Sequence, residues 1–293
     1  MKRLLQEKDG GIVFSLSTIL PVFVTLVFAI AIAGLESPTE EIWYLYAQYL
    51  LTQVSFAIVL VAYFAKTKIS LRDAGVRGCR PQYFLIALIL QIGIFFGLSD
   101  LNLIFIEKLG DWFGYEPTVA ALPPTEGWWL VLTLFVVAVL PAVCEELIFR
   151  GFMVQSTRSC GMVFCVLVNG LFFALFHQNP AQTLYQFVCG CVFALIACRS
   201  GSILPTVVVH FLNNAAVVIL ARFGIDELTG PWSTAATIVS LVLFVACVVL
   251  LCLQGRKDKE RNGNRKAFLL ASAIGVIVCA VSWVASLALS VAS

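Results

Sequence analysis

The chain has 293 residues, of which 60% are hydrophobic and only 12% charged, with a formal net charge of +2 and a mean hydropathy of +0.96. A soluble domain carries about 25% charged residues, so a soluble globular protein is excluded. Neither a strong basic bias nor a phosphate-cradling glycine motif is present, and no nucleic-acid partner is expected. The apolar residues fall into blocks of roughly 20, long enough to cross about 30 Å of hydrocarbon as helix. They lack the period-2 alternation of barrel strands. Lipid admits only helices and closed barrels as spanning structures. The expected fold class is therefore all-α, a polytopic helical bundle forming one integral-membrane domain over 1–293.

In chain order, nine spans are expected at 12–34, 43–65, 83–106, 128–149, 161–179, 181–198, 203–221, 233–253 and 267–290. The first follows a charged leader, MKRLLQEKDG. Its apolar run exceeds the 7–15 residues of a signal-peptide core, so it reads as a retained span. Nine spans put the termini on opposite sides, and the loop charges agree. Seventeen Lys and Arg fall on one face, including five in KTKISLRDAGVRGCRPQ and six in GRKDKERNGNRK, while only Lys108 and Arg222 fall on the other. The positive-inside rule then puts the N-terminus in the cytoplasm and the C-terminus outside, with the plasma membrane the expected location. The linker 254–266 reads as a positive-inside anchor at the headgroups. The last two spans, over 233–290, carry none of the buried polar residues described next and read as an addition to the core.

Most of the ten cysteines lie inside apolar spans, for example Cys165, Cys189, Cys191 and Cys247. They read as small polarisable core filler. Cys144 adjoins Glu145, but nothing in its local sequence would stabilise a thiolate.

The polar residues inside spans four to seven carry the chemistry. A charge at the bilayer centre costs about 2.5–3.5 kcal/mol on insertion scales, so Glu145, Glu146 and Arg150 in VCEELIFRG need a reason to be there. Glu146 and Arg150 are four residues apart, share a helix face and can pair. Glu145 is rotated about 100° from Glu146, points elsewhere and lacks that partner, which suits a general base. The chain's only two histidines, His177 in LFFALFHQNP and His210 in LPTVVVHFLNN, lie in neighbouring spans. His210 and Asn214 are again four apart, and two neutral donors side by side suit a developing oxyanion. Counted at 1.5 Å per residue from the cytoplasmic end near Arg158, Glu145 lies about 20 Å deep and His177 roughly 28 Å, nearer the outer face.

These residues form EELIFR (145–150), FALFH (173–177) and HFLNN (210–214). In order and pattern they resemble the EExxxR, FxxxH and HxxxN motifs of the CAAX protease and bacteriocin-processing family, also called the Abi or type II CAAX prenyl endopeptidase family. The resemblance covers about residues 128–218. It implies a glutamate-dependent intramembrane endopeptidase in which Glu145 activates a water with help from His177. His210 and Asn214 would form the oxyanion hole. Glu146 and Arg150 would hold the architecture, and Phe173 would pack behind His177. The substrate implied is a peptide or a membrane protein, and the mechanism implied is metal-free.

Two other readings fit the same residues. Glu145, His177 and His210 form a two-His, one-Glu donor set that zinc accepts, although no HExxH helix is present. Members of the family also act in bacteriocin self-immunity, so a non-proteolytic immunity protein or scaffold is the second.

Overall fold

The computed structural model describes residues 5–117, 121–225, 231–254 and 263–292. Lys2 and Arg3, and Arg256, Lys257, Lys259 and Arg261 of the basic linker, lie outside the described residues. Nine long helices and no strand occur among the described residues. They are α1 (Glu7–Ile32), α2 (Ile42–Thr67), α3 (Gln82–Phe113), α4 (Trp129–Cys160) and α5 (Met162–Phe176). There follow α6 (Thr183–Ser200), α7 (Leu204–Arg222), α8 (Pro231–Leu253) and α9 (Arg265–Ala292). All but α5 are long and apolar enough to cross a bilayer, so the chain is an all-α polytopic membrane protein.

The fifth span is shorter than 161–179. Residues Arg158–Cys160 form a tight 3₁₀ turn, and Gly161 takes φ +97, a conformation glycine adopts at no steric cost. At the other end the helix stops at Phe176, Gln178 takes φ +52, and the Asn179 side chain accepts the N–H of Ala181 at 2.9 Å. The remaining 15 residues rise about 22 Å, short of the roughly 30 Å hydrocarbon core. The helix therefore forms one arm of a hairpin with α6. That hairpin is held at very close range. A Cβ on Gly170 would fall 2.2 Å from Cys191 Sγ, and one on Gly190 would fall 2.8 Å from the Gly170 backbone. Small residues let helices approach in this way where lipid gives no hydrophobic drive.

Helix α4 is continuous but not uniform. Phe135–Val139 and Leu147–Met153 are wound with i→i+5 bonding, and Pro141 sits between them. Such stretches re-aim side chains and often mark functional sites. Helix α9 lies along α1, where a Cβ on Gly275 would meet the Ser15 backbone at 2.8 Å. Helix α8 packs on the Gly93–Gly97 stretch of α3. The loop after α2 is tied to the start of α7: Ile203 N–H donates to Gly75 O at 3.0 Å and Arg77 Nε to Gly201 O at 2.5 Å. Those bonds fix where α7 begins and so the height of His210.

Candidate active site

The middle of α4 carries Glu145, Glu146 and Arg150. Arg150 and Glu146 are both fully buried, and Arg150 Nη1 donates to Glu146 Oε1 at 2.9 Å. The rest of the guanidinium is enclosed rather than solvated. Nη2 reaches Gly190 O at 3.4 Å, and Cζ lies 4.4 Å from the ring centroid of Phe173 and 5.1 Å from that of Phe193. Aromatic faces attract a desolvated cation in this geometry.

Glu146 has a second partner that helical spacing does not reveal. His210 Nδ1 lies 3.0 Å from the same Oε1. A carboxylate paired with a guanidinium offers only acceptors, so His210 Nδ1 carries the proton. In the neutral ring Nε2 is then a lone pair, and it sits 3.9 Å from Glu145 Oε2. Glu146 thus joins the EELIFR stretch of α4 to the HFLNN stretch of α7. The carboxylate orients the imidazole, much as an acidic residue does behind a catalytic histidine.

His177 ends α5. Its Nδ1 lies 2.8 Å from the carbonyl of Phe173, one turn back. A carbonyl can only accept, so the proton is on Nδ1 and the Nε2 lone pair is left for the cavity. The Phe173 ring stands edge-on to His177 at 4.8 Å and lies 6.1 Å from the His210 ring. One aromatic side chain therefore wedges Arg150, His177 and His210 apart.

Asn214 is placed by a proline. Pro141 has no N–H to give the carbonyl of Val137, four residues earlier. Asn214 Nδ2 donates to that carbonyl at 3.3 Å. The amide has a second N–H, which leaves a donor for the cavity that Asn214 lines. Its orientation is fixed by Asn213, whose Nδ2 donates to Asn214 Oδ1 at 3.3 Å. Asn213 is fixed in turn, because its Oδ1 accepts from Gln91 Nε2 at 2.7 Å and from Tyr185 OH at 2.8 Å. Asn213, Gln91 and Tyr185 escape the motif reading. The Asn–Asn doublet and a glutamine inside the apolar run LILQIGIF were visible signals, whereas Tyr185 gave none.

Glu145, Phe173, His177, His210, Asn213 and Asn214 line one cavity of about 60 Å³. The structure therefore brings the three motifs together at one height, and the depth offset expected for His177 is not found. The turn at 158–161 adds no rise, so counting from Met162 puts His177 at about 22 Å, level with Glu145. Glu145 is 9% exposed, and its Oε2 accepts no hydrogen bond from the described residues. Cys144 is buried and lines neither this cavity nor the groove beside it. Among the described residues, no three His, Cys, Asp or Glu side chains converge closely enough to hold a metal ion.

Such an arrangement offers a carboxylate with an uncommitted oxygen, two imidazole nitrogens with lone pairs turned inward, and an amide N–H in a small enclosed space. Water placed there has acceptors for its protons, and a carbonyl oxygen placed there has a donor. That is equipment for hydrolysis of an acyl bond.

Comparison with known proteins agrees. Residues 127–216 match the family model described as type II CAAX prenyl endopeptidase Rce1-like. The match spans α4 to α7, under a third of the chain, and contains all three motifs. It supports a CAAX-type intramembrane protease in general. No curated protein and no solved structure matches the chain.

Proposed function

We propose, from the Rce1-like segment at 127–216, that this protein is a glutamate-dependent intramembrane endopeptidase that hydrolyses a peptide bond of a peptide or membrane-protein substrate. The observation that carries the reading is the shared cavity. Glu145 lies there with a free oxygen between two histidines whose Nδ1 atoms are each committed to an acceptor.

Glu145 takes a proton from water, and His177 Nε2 accepts a hydrogen bond from the O–H that remains and so aims the oxygen's lone pair. As the water attacks, the carbonyl oxygen gains charge opposite the second N–H of Asn214. His210 acts as a donor to that oxygen only with a proton on Nε2. Glu145 Oε2, 3.9 Å away, is the group placed to hand it one. With that proton on Nε2, His210 donates to the oxyanion as it develops. The same proton is then available to the leaving amine. Glu146, Arg150 and Phe173 hold this geometry without touching the reacting atoms.

No step needs a metal, and none is routed through one. Prolonged chelation is expected to leave the purified protein fully active. Chelator inactivation reversed by zinc would favour the two-His, one-Glu zinc reading instead. Loop charge gives the proposed orientation, in the plasma membrane with the N-terminus cytoplasmic and the C-terminus outside. To test the activity itself, new peptide termini are compared by mass spectrometry in membranes with and without the protein. Termini that require it support a protease, and their absence favours a non-proteolytic immunity protein or scaffold.

A further inference from the structure

A trough of about 390 Å³ runs between α1 and α2 at the end where loop charge places the cytoplasm. Lys8 stands in the first turn of α1 and Lys66 in the last turn of α2, and both are exposed. From each lysine a stripe of four-residue spacing leads away, so its members share one helix face. On α1 the stripe is Lys8, Ile12 and Leu16, and on α2 it is Lys66, Ala62 and Ile58. The two helices are antiparallel, so both stripes run from charge to hydrocarbon in the same direction, into the membrane. Leu16 is 44% exposed and Ile58 54%, so the trough is open to the bilayer from the side. Neither lysine is paired with a carboxylate among the described residues. The trough shares no lining residue with the cavity at Glu145.

The other polar side chains on the walls are already committed. Asp9 is fully buried, and its carboxylate accepts from Gln6 N–H at 2.7 Å and from Tyr63 OH at 2.6 Å. Thr67 Oγ1 donates to the carbonyl of Tyr63 at 2.6 Å. Below the lysines, no side-chain donor or acceptor on the walls waits for a partner. An extended peptide would bring one N–H and one C=O per residue with nothing there to meet them. An acyl chain brings no hydrogen-bonding group and leaves no wall atom unmet. At the rim, two ammonium groups attract negative charge. A zwitterionic headgroup sets its own cation against them, whereas a headgroup of net negative charge does not. Free inorganic phosphate would meet the lysines and leave the apolar stripes uncovered.

We propose that this trough binds one anionic phospholipid. Its phosphate lies between Lys8 and Lys66, which meet it as point charges, and one acyl chain lies along Ile12, Leu16, Ala62 and Ile58. The lipid ties the first helix to the second at their cytoplasmic ends.

The test uses full-length protein in nanodiscs of equal parts phosphatidylglycerol and phosphatidylcholine with identical acyl chains. A photoreactive benzophenone residue replaces Leu16 in the trough or, as the control, Val61 on an exposed part of α2 outside it. Lipid adducts are identified by mass spectrometry. At about 1 kcal/mol per lysine near anionic lipid, the pair favours phosphatidylglycerol by about 30-fold. Adducts at Leu16 should be enriched in phosphatidylglycerol to about that degree over those at Val61. Lys8→Gln/Lys66→Gln should bring the ratio down to that at Val61, while Lys8→Arg/Lys66→Arg, which keeps the charge, should preserve it. Equal ratios at the two positions, no lipid adduct at Leu16, or enrichment that survives both glutamines would overturn the proposal. So would an arginine variant that loses as much as the glutamine one, since the effect would then not be one of charge. Enrichment erased by inorganic phosphate at constant ionic strength would also overturn it, assigning the lysines to a soluble anion.

Discussion

Replacing Glu146 by Gln tests whether one buried carboxylate ties the motif segments together. Its Oε1 accepts from Arg150 at 2.9 Å and from His210 at 3.0 Å, and the guanidinium is fully buried. The glutamine amide oxygen can still accept from Arg150 but carries no charge, so the buried guanidinium is left without a counter-ion, beside a 3.4 Å contact to Gly190 O and the faces of aromatic rings. Breaking a buried pair from one side costs about 3–5 kcal/mol, a large part of the roughly 5–15 kcal/mol that stabilises a typical protein. At roughly 2–4 °C per kcal/mol, Glu146→Gln should melt about 6–20 °C below wild type in a thermal-shift assay of the purified protein. The double variant Glu146→Leu/Arg150→Met removes both charges. Exchanging a whole buried pair for apolar side chains is often neutral or stabilising, so its melting temperature should return to near wild type. Activity should not return, because the Nδ1–H of His210 then has no acceptor and the ring is free to turn. A Glu146→Gln protein as stable as wild type would refute the reasoning, as would a double variant as unstable as the single.

Asn214→Ala should lower turnover about 100- to 1,000-fold, the cost of one oxyanion donor, while leaving a measurable rate. His210→Ala should match or exceed that loss, and the double variant should lose less than the two combined, because both groups serve one charge. Asn213→Ala frees the Asn214 amide to rotate. It should lower kcat about ten-fold with little change in KM, as expected of a positioning residue; an unchanged kcat would remove it from the site. Reporter fusions should place 66–80 and 254–266 in the cytoplasm, and an external position for either loop would overturn the orientation drawn from loop charge.

The bundle was legible in the sequence because lipid admits only helices and closed barrels, and apolar blocks of about 20 residues without period-2 alternation leave the helix. The short α5 was not, since its ends are set by Gly161 at φ +97 and by Gln178 at φ +52, conformations with no hydropathy signature. The site was legible where spacing along one helix sufficed. Glu146 with Arg150 and Phe173 with His177 are both four-residue pairs, and they do touch. Contacts between helices were not legible. The bond of His210 to Glu146 crosses 64 positions of chain, and that of Asn213 to Gln91 crosses 122. Pro141 was an unread clue, because a missing N–H announces a carbonyl in need of a donor, and Asn214 supplies it.

The central claim is that Glu145 is the base. Its direct measurement is the cleavage rate of purified Glu145→Gln against wild type on one defined substrate, with melting temperatures recorded for both. Glutamine keeps the shape and removes the proton acceptor. The account predicts cleavage at background and a melting temperature within a few degrees of wild type, since Glu145 Oε2 has no hydrogen bond among the described residues to lose. A folded Glu145→Gln protein that cleaves at the wild-type rate would contradict it.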